Sequence, residues 1–100
     1  MIPKEIFDFY VDAVVAACEV SREKMLSNCR VEDVVDARYI LIQLLYEAGA
    51  YPSMIASAIG FTSRAVSYAL GKFEGRRKGK KWLRNNYEKA KKQLGNNQLP

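Results

Sequence analysis

The sequence predicts an all-α single domain of five to six helices that contains a helix-turn-helix. Three observations carry this. Apolar residues are 49% of the chain, against only six Gly and three Pro in 100 residues. They recur at helical spacing, as in Ile6, Tyr10, Val14 and Cys18. Residues 52–71 then follow the grammar of two short helices around a tight turn. Ala56 keeps the second helix close, Gly60 leaves the first where positive φ costs least, and Val66 packs back.

The elements follow in order. A first helix is expected from about Pro3 to Glu19, with Pro3 suited to a first turn. Ser21 caps a short second helix, Arg22 to about Cys29, whose apolar contacts are Met25 and Leu26. A third begins near Val31, with Glu32 and Asp33 opposing the positive helix end. Its body, Tyr39 to Tyr46, is apolar nearly all round and belongs at the centre of the fold. Gly49 ends it and Pro52 opens the next. Ile55, Ile59 and Phe61 complete the apolar side of the helix-turn-helix, and Thr62 or Ser63 caps its second helix, 63 to about 73. Residues 74–81, with two glycines among five basic residues, read as a basic loop, although the helix could persist past Gly75. A last helix spans about Lys80 to Leu94 with the stripe Leu83, Tyr87, Ala90 and Leu94 and Trp82 at its edge. Residues 1–95 form the domain, and 96–100 a flexible tail.

Composition narrows the function. Residues 1–50 carry five basic against nine acidic side chains, and 51–100 carry eleven against two. That division points to one face that binds a polyanion. The longest strongly apolar stretch is interrupted by Gln43, well short of the ~20 residues that span a bilayer. Glu5, Asp8 and Asp12 interrupt any signal-peptide pattern, so a cytoplasmic, nucleoid-associated chain is expected. There is no histidine, and Cys18 and Cys29 cannot supply four zinc ligands or a thiol–imidazole pair. Both read as small, unbonded hydrophobes. Neither enzyme activity nor a cofactor or metal is expected. Asp33 and Asp36, one helical turn apart, read as helix-start stabilisers rather than catalytic carboxylates.

The outer face of the second helix of the pair presents Ser63, Arg64, Ser67, Tyr68 and Lys72. Arg64 can donate bidentately to guanine or contact phosphate, and Tyr68 can meet a thymine methyl or a phosphate or sit at the core edge. Ser53, Ser57, Thr62 and Ser63 can donate to phosphates near helix ends, or simply cap or lie on the surface. Arg76, Arg77, Lys78, Lys80 and Lys81 form the densest basic cluster, directly after this helix, and are expected on the DNA backbone. Lys89, Lys91 and Lys92 extend the charge along the last helix.

Residues 11–73 resemble the C-terminal DNA-binding domain of the bacterial replication initiator DnaA, of the Trp repressor-like helix-turn-helix group. The matching pieces are Val-Ser-Arg-Glu-Lys-Met-Leu-Ser (20–27), Val-Val-Asp-Ala-Arg-Tyr-Ile (34–40) and Pro-Ser-Met-Ile-Ala-Ser-Ala-Ile-Gly (52–60). They resemble, in order and spacing, the family's short helix, its long central helix with an Arg-x-Arg entry and its Leu-Pro-Glu-Ile-Gly segment. The family's base-reading Asp-His-Thr-Thr-Val falls on Thr-Ser-Arg-Ala-Val (62–66), where Val66 alone matches. Of the family's Arg-x-Arg, a minor-groove reader, Asp36 replaces the first member and Arg38 matches the second. The family's basic loop falls on residues 28–33, which are not basic, and the chain has no P-loop. The resemblance implies the fold and duplex binding, not the initiator's own box and not an ATPase.

The reading is therefore a binder of double-stranded DNA, bacterial or phage. It serves transcription regulation or the handling of replicating or mobile DNA, with helix 63–73 in the major groove and 76–81 on the backbone. No membrane partner and no small-molecule substrate are expected, and a homodimer is left open. The alternatives are a protein-interaction or anionic-membrane module using the basic amphipathic C-terminal helix, and an RNA binder, disfavoured because the basic half has few aromatics outside its apolar stripes.

Overall fold

A computed structural model describes residues 1–95. The expectation of a flexible tail at 96–100 lies outside the described residues. Among those described, six helices and no strand are found: α1 Lys4–Cys18, α2 Arg22–Met25, α3 Glu32–Glu47, α4 Pro52–Ile59, α5 Ser63–Gly79 and α6 Lys81–Leu94. The radius of gyration, 12.0 Å, matches the ~13 Å expected of 100 residues in one globule.

Helix α3 is the organising element and touches all five others. Its uniform apolarity is the cause, because a helix without a polar face gains most at the centre. Val34, Ala37, Ile40, Leu41, Ile42, Leu44 and Leu45 are all buried. Helices α1 and α6 pack together and on α3, where Val11, Val14, Leu83, Tyr87 and Ala90 meet the same core. Tyr87 closes it with an edge-on contact to Phe73, 5.0 Å between ring centroids, and donates its hydroxyl proton to Glu47 at 2.5 Å.

Local signals place the helix boundaries. Ser21 Oγ accepts from the Lys24 amide, which starts α2. That helix stops at Met25, not near Cys29, and the carbonyls it leaves are taken by Arg38. Gly49, at φ +112°, ends α3.

The largest difference concerns α5. Residues 74–81 are not a loop, since α5 continues to Gly79 and α6 follows after Lys80 alone. Glycines at 75 and 79 cost roughly 1 kcal/mol each relative to Ala in a helix. Four contacts offset this. Phe73 is buried, Arg76 is tied to α3, Arg77 pairs with Glu74 one turn back, and Arg76, Arg77 and Lys78 oppose the negative helix end. Trp82 is also less enclosed than an anchor of α6 would be, at 37% exposure, and Leu83 is the buried anchor instead.

Candidate nucleic-acid interface

Helices α4 and α5 are joined by three residues. The Gly60 and Phe61 amides both donate to the Ala56 carbonyl, at 2.8 and 3.0 Å, and Gly60 adopts φ +85°. A Cβ built at Gly60 meets nothing within 4 Å, so backbone conformation and not crowding calls for glycine. Thr62 Oγ1 accepts from the Ala65 amide at 3.1 Å and caps α5. Ile55, Ala56, Ile59, Val66 and Ala69 are buried, so the two helices turn their apolar sides to the core.

That burial fixes what α5 shows to solvent. Ser63, Arg64, Ser67, Tyr68 and Lys72 are all exposed, Tyr68 at 59%. The Lys72 ammonium lies 5.6 Å from the Tyr68 ring centroid, a cation–π contact that holds both outward. Ser53 and Ser57 are exposed on α4. The first turn of α5 carries no acid, so its free amides face no competing carboxylate of their own. Because α5 is longer than expected, Lys78 follows Arg64 on nearly the same helical face, about 21 Å further along the axis.

Three of the thirteen candidate residues face inward commitments. Arg38, expected by resemblance at a groove-reading position, is buried at 6% exposure. Its Nε donates to the Met25 carbonyl and its Nη2 to those of Lys24, Ser27 and Cys29, while its guanidinium lies 5.2 Å from the Phe61 ring centroid. It staples the end of α2 and the following turn to α3. Arg76 donates to Asp36 at 2.9 Å and stacks on Tyr39, 4.4 Å from the ring centroid. Lys80 bridges Asp36 at 3.1 Å and Glu32 at 2.9 Å. The Asp36 side chain is 3% exposed, so this cluster is a buried anion held by two half-covered cations. The bond from Lys80 lowers the Glu32 carboxyl pKa, and Glu32 raises that of Lys80. Arg77, paired with Glu74 at 2.6 Å, is half-covered. Arg64, Lys72, Lys78 and Lys81 have no carboxylate partner among the described residues.

The expected separation of an acidic from a basic half is thus partly internal. Glu32, Asp36 and Glu47, all on α3, each meet a cation from α5, α6 or the residue between them. Sequence reasoning missed Asp36 as a core anion. A signal existed: Asp36 is in phase with Ile40 and Leu44, so a carboxylate stands in the buried stripe and must find a partner.

Both cysteines are free thiols, Cys18 buried and Cys29 half-buried. Burial pushes the Cys18 thiol up to about 12. Among the described residues, no group of three or more His, Cys, Asp or Glu side chains could hold a metal, and no helix is long and apolar enough to cross a membrane. No protein-family description matches the sequence, and no curated protein matches it.

Proposed function

We propose that the chain binds double-stranded DNA through α4 and α5 acting as a helix-turn-helix, with the N-terminal half of α5 in the major groove. The observation that carries this reading is the exposed face of α5. It presents Arg64, Ser67, Tyr68 and Lys72, and its cations are unspent on the protein's own carboxylates. Arg64 serves as base reader, with Ser63, Ser67, Tyr68 and Lys72 beside it. Ser53, Thr62 and the acid-free start of α5 offer donors to one phosphate strand. Lys78, Lys81 and, at the edge, Arg77 hold backbone further along. Arg38, Arg76 and Lys80 are structural in this reading and make no DNA contact. The likeness to the DnaA C-terminal domain and the Trp repressor-like group belongs to the same proposal, as does a role in replication, transcription or mobile-element DNA, in association with the nucleoid.

The test is retardation of duplex DNA, single-stranded RNA and anionic vesicles at two salt concentrations. The prediction is preference for duplex, with log affinity falling against log salt by about 0.9 per phosphate contact. Arg64→Ala should cost about 1–3 kcal/mol on a selected site and relax selectivity at one base position. Equal loss on every sequence would reduce Arg64 to a phosphate contact. Preference for vesicles would move the function to the basic face of α6.

A further inference from the structure

The buried guanidinium of Arg38 lacks a counter-ion. All four of its hydrogen bonds go to neutral carbonyls, through Nε and Nη2, and Nη1 makes none among the described residues. A cation taken out of water without an anion is unfavourable, and burial lowers its pKa accordingly. Arg38 also lines a groove of about 260 Å³ between the turn after α2, the start of α3 and the first half of α5. Arg30 and Asn28 stand in its wall as further donors, and no acid lines it. The remaining lining is chiefly apolar and aromatic, with Tyr39, Phe61 and Tyr68.

We propose that this groove binds a small planar aromatic carboxylate, its acid group held by Arg38 and Arg30 and its ring among Tyr39, Phe61 and Tyr68. Charge complementarity requires the anion. The walls favour a ring over a bare phosphate, because an inorganic anion would leave the aromatic lining unused. The site does not depend on DNA binding and is tested without DNA.

The experiment titrates the full chain, labelled with nitrogen-15, with 2-naphthoate, 2-naphthamide and inorganic phosphate. Amide signals of residues 28–30 and 61–69 report the site. 2-Naphthoate should shift them saturably, and 2-naphthamide should bind at least about tenfold more weakly, or ~1.4 kcal/mol. Arg30→Gln should weaken 2-naphthoate several-fold. Ala65→Leu, which fills the groove from an exposed position on α5, should abolish binding while leaving thermal unfolding unchanged. Arg38 itself is left intact because its removal would unfold the α2 junction. The proposal is overturned by equal affinity for acid and amide, by unchanged affinity in either variant, or by no saturation with 2-naphthoate. Tighter binding of inorganic phosphate than of 2-naphthoate would also overturn it and make the groove a seat for a nucleic-acid phosphate.

Discussion

Replacing Asp36 by Asn tests how the junction of α5 and α6 is held. The substitution keeps the side-chain volume and removes the negative charge that Arg76 and Lys80 share. Stripping one partner from a fully buried ion pair costs about 3–5 kcal/mol, mostly because the other charge is left unpaired. Here the carboxylate is 3% exposed but its partners are 32% and 31% exposed, so both can turn partly to water. Lys80 also retains Glu32. We therefore predict a loss of about 2 kcal/mol, which lowers the melting temperature of a domain this size by roughly 8–16 °C. Urea unfolding gives the free energy directly. Arg76→Gln in the Asp36→Asn background should add less than it does alone, since the interaction is already gone. The folded fraction should also show a steeper salt dependence of duplex affinity, by up to about 0.9 for each cation released. An Asp36→Asn variant as stable as the parent, or strictly additive effects with Arg76→Gln, would refute the account of this junction.

Two further predictions concern the turn and the thiols. Gly60→Val should cost about 1–2 kcal/mol in urea unfolding, because an L side chain is strained at φ +85° even where space is free, and Gly60→Asn should cost clearly less. Equal stability of the valine variant would show that the turn does not need a left-handed residue. Cys29 should react with an aromatic disulfide reagent well before Cys18, whose thiol is buried. The folded pKa of Cys18 is raised to about 12 from an ordinary 9.0, so the folded state binds more protons between those values. Its contribution is complete below pH 9 and is lost as pH rises towards 12. Cys18→Ala should flatten the fall of stability with pH in that window, and an unchanged slope would contradict the burial of the thiol.

Short-range chemistry made much of the fold legible. Ser21 and Thr62 cap the helices they were expected to cap, Pro52 and Gly60 bound α4, and the apolar run at Tyr39–Tyr46 lies in the central helix. Each of these signals acts within one or two turns. What escaped was chemistry between distant positions. Arg76 and Asp36 are forty residues apart, and Lys80 and Glu32 forty-eight, so no local pattern marks them as partners. The basic run therefore read as a loop available to a polyanion, when α3 uses Arg76 and Lys80 to carry α5 through two glycines and turn it into α6.

The same physics sorts the candidate cations. A basic side chain on α5 is either drawn to an acid of α3 or left at the surface, and the helical register decides which. Arg76 follows Phe73 and Ala69 round the inward side, and reaches Asp36 beside the ring of Tyr39. Arg64 and Lys78 share a line through Ser67, Tyr68 and Gly71 on the outward side, where no acid stands on the same face among the described residues. Adding a carboxylate to this outward line, as in Gly71→Glu, would place an anion within one to two turns of Arg64, Tyr68 and Lys78. Inward packing would be untouched, since a Cβ at Gly71 meets nothing within 4 Å. If α5 is the reading helix, that one charge opposes the phosphates directly, and duplex affinity must fall while the fold stays intact.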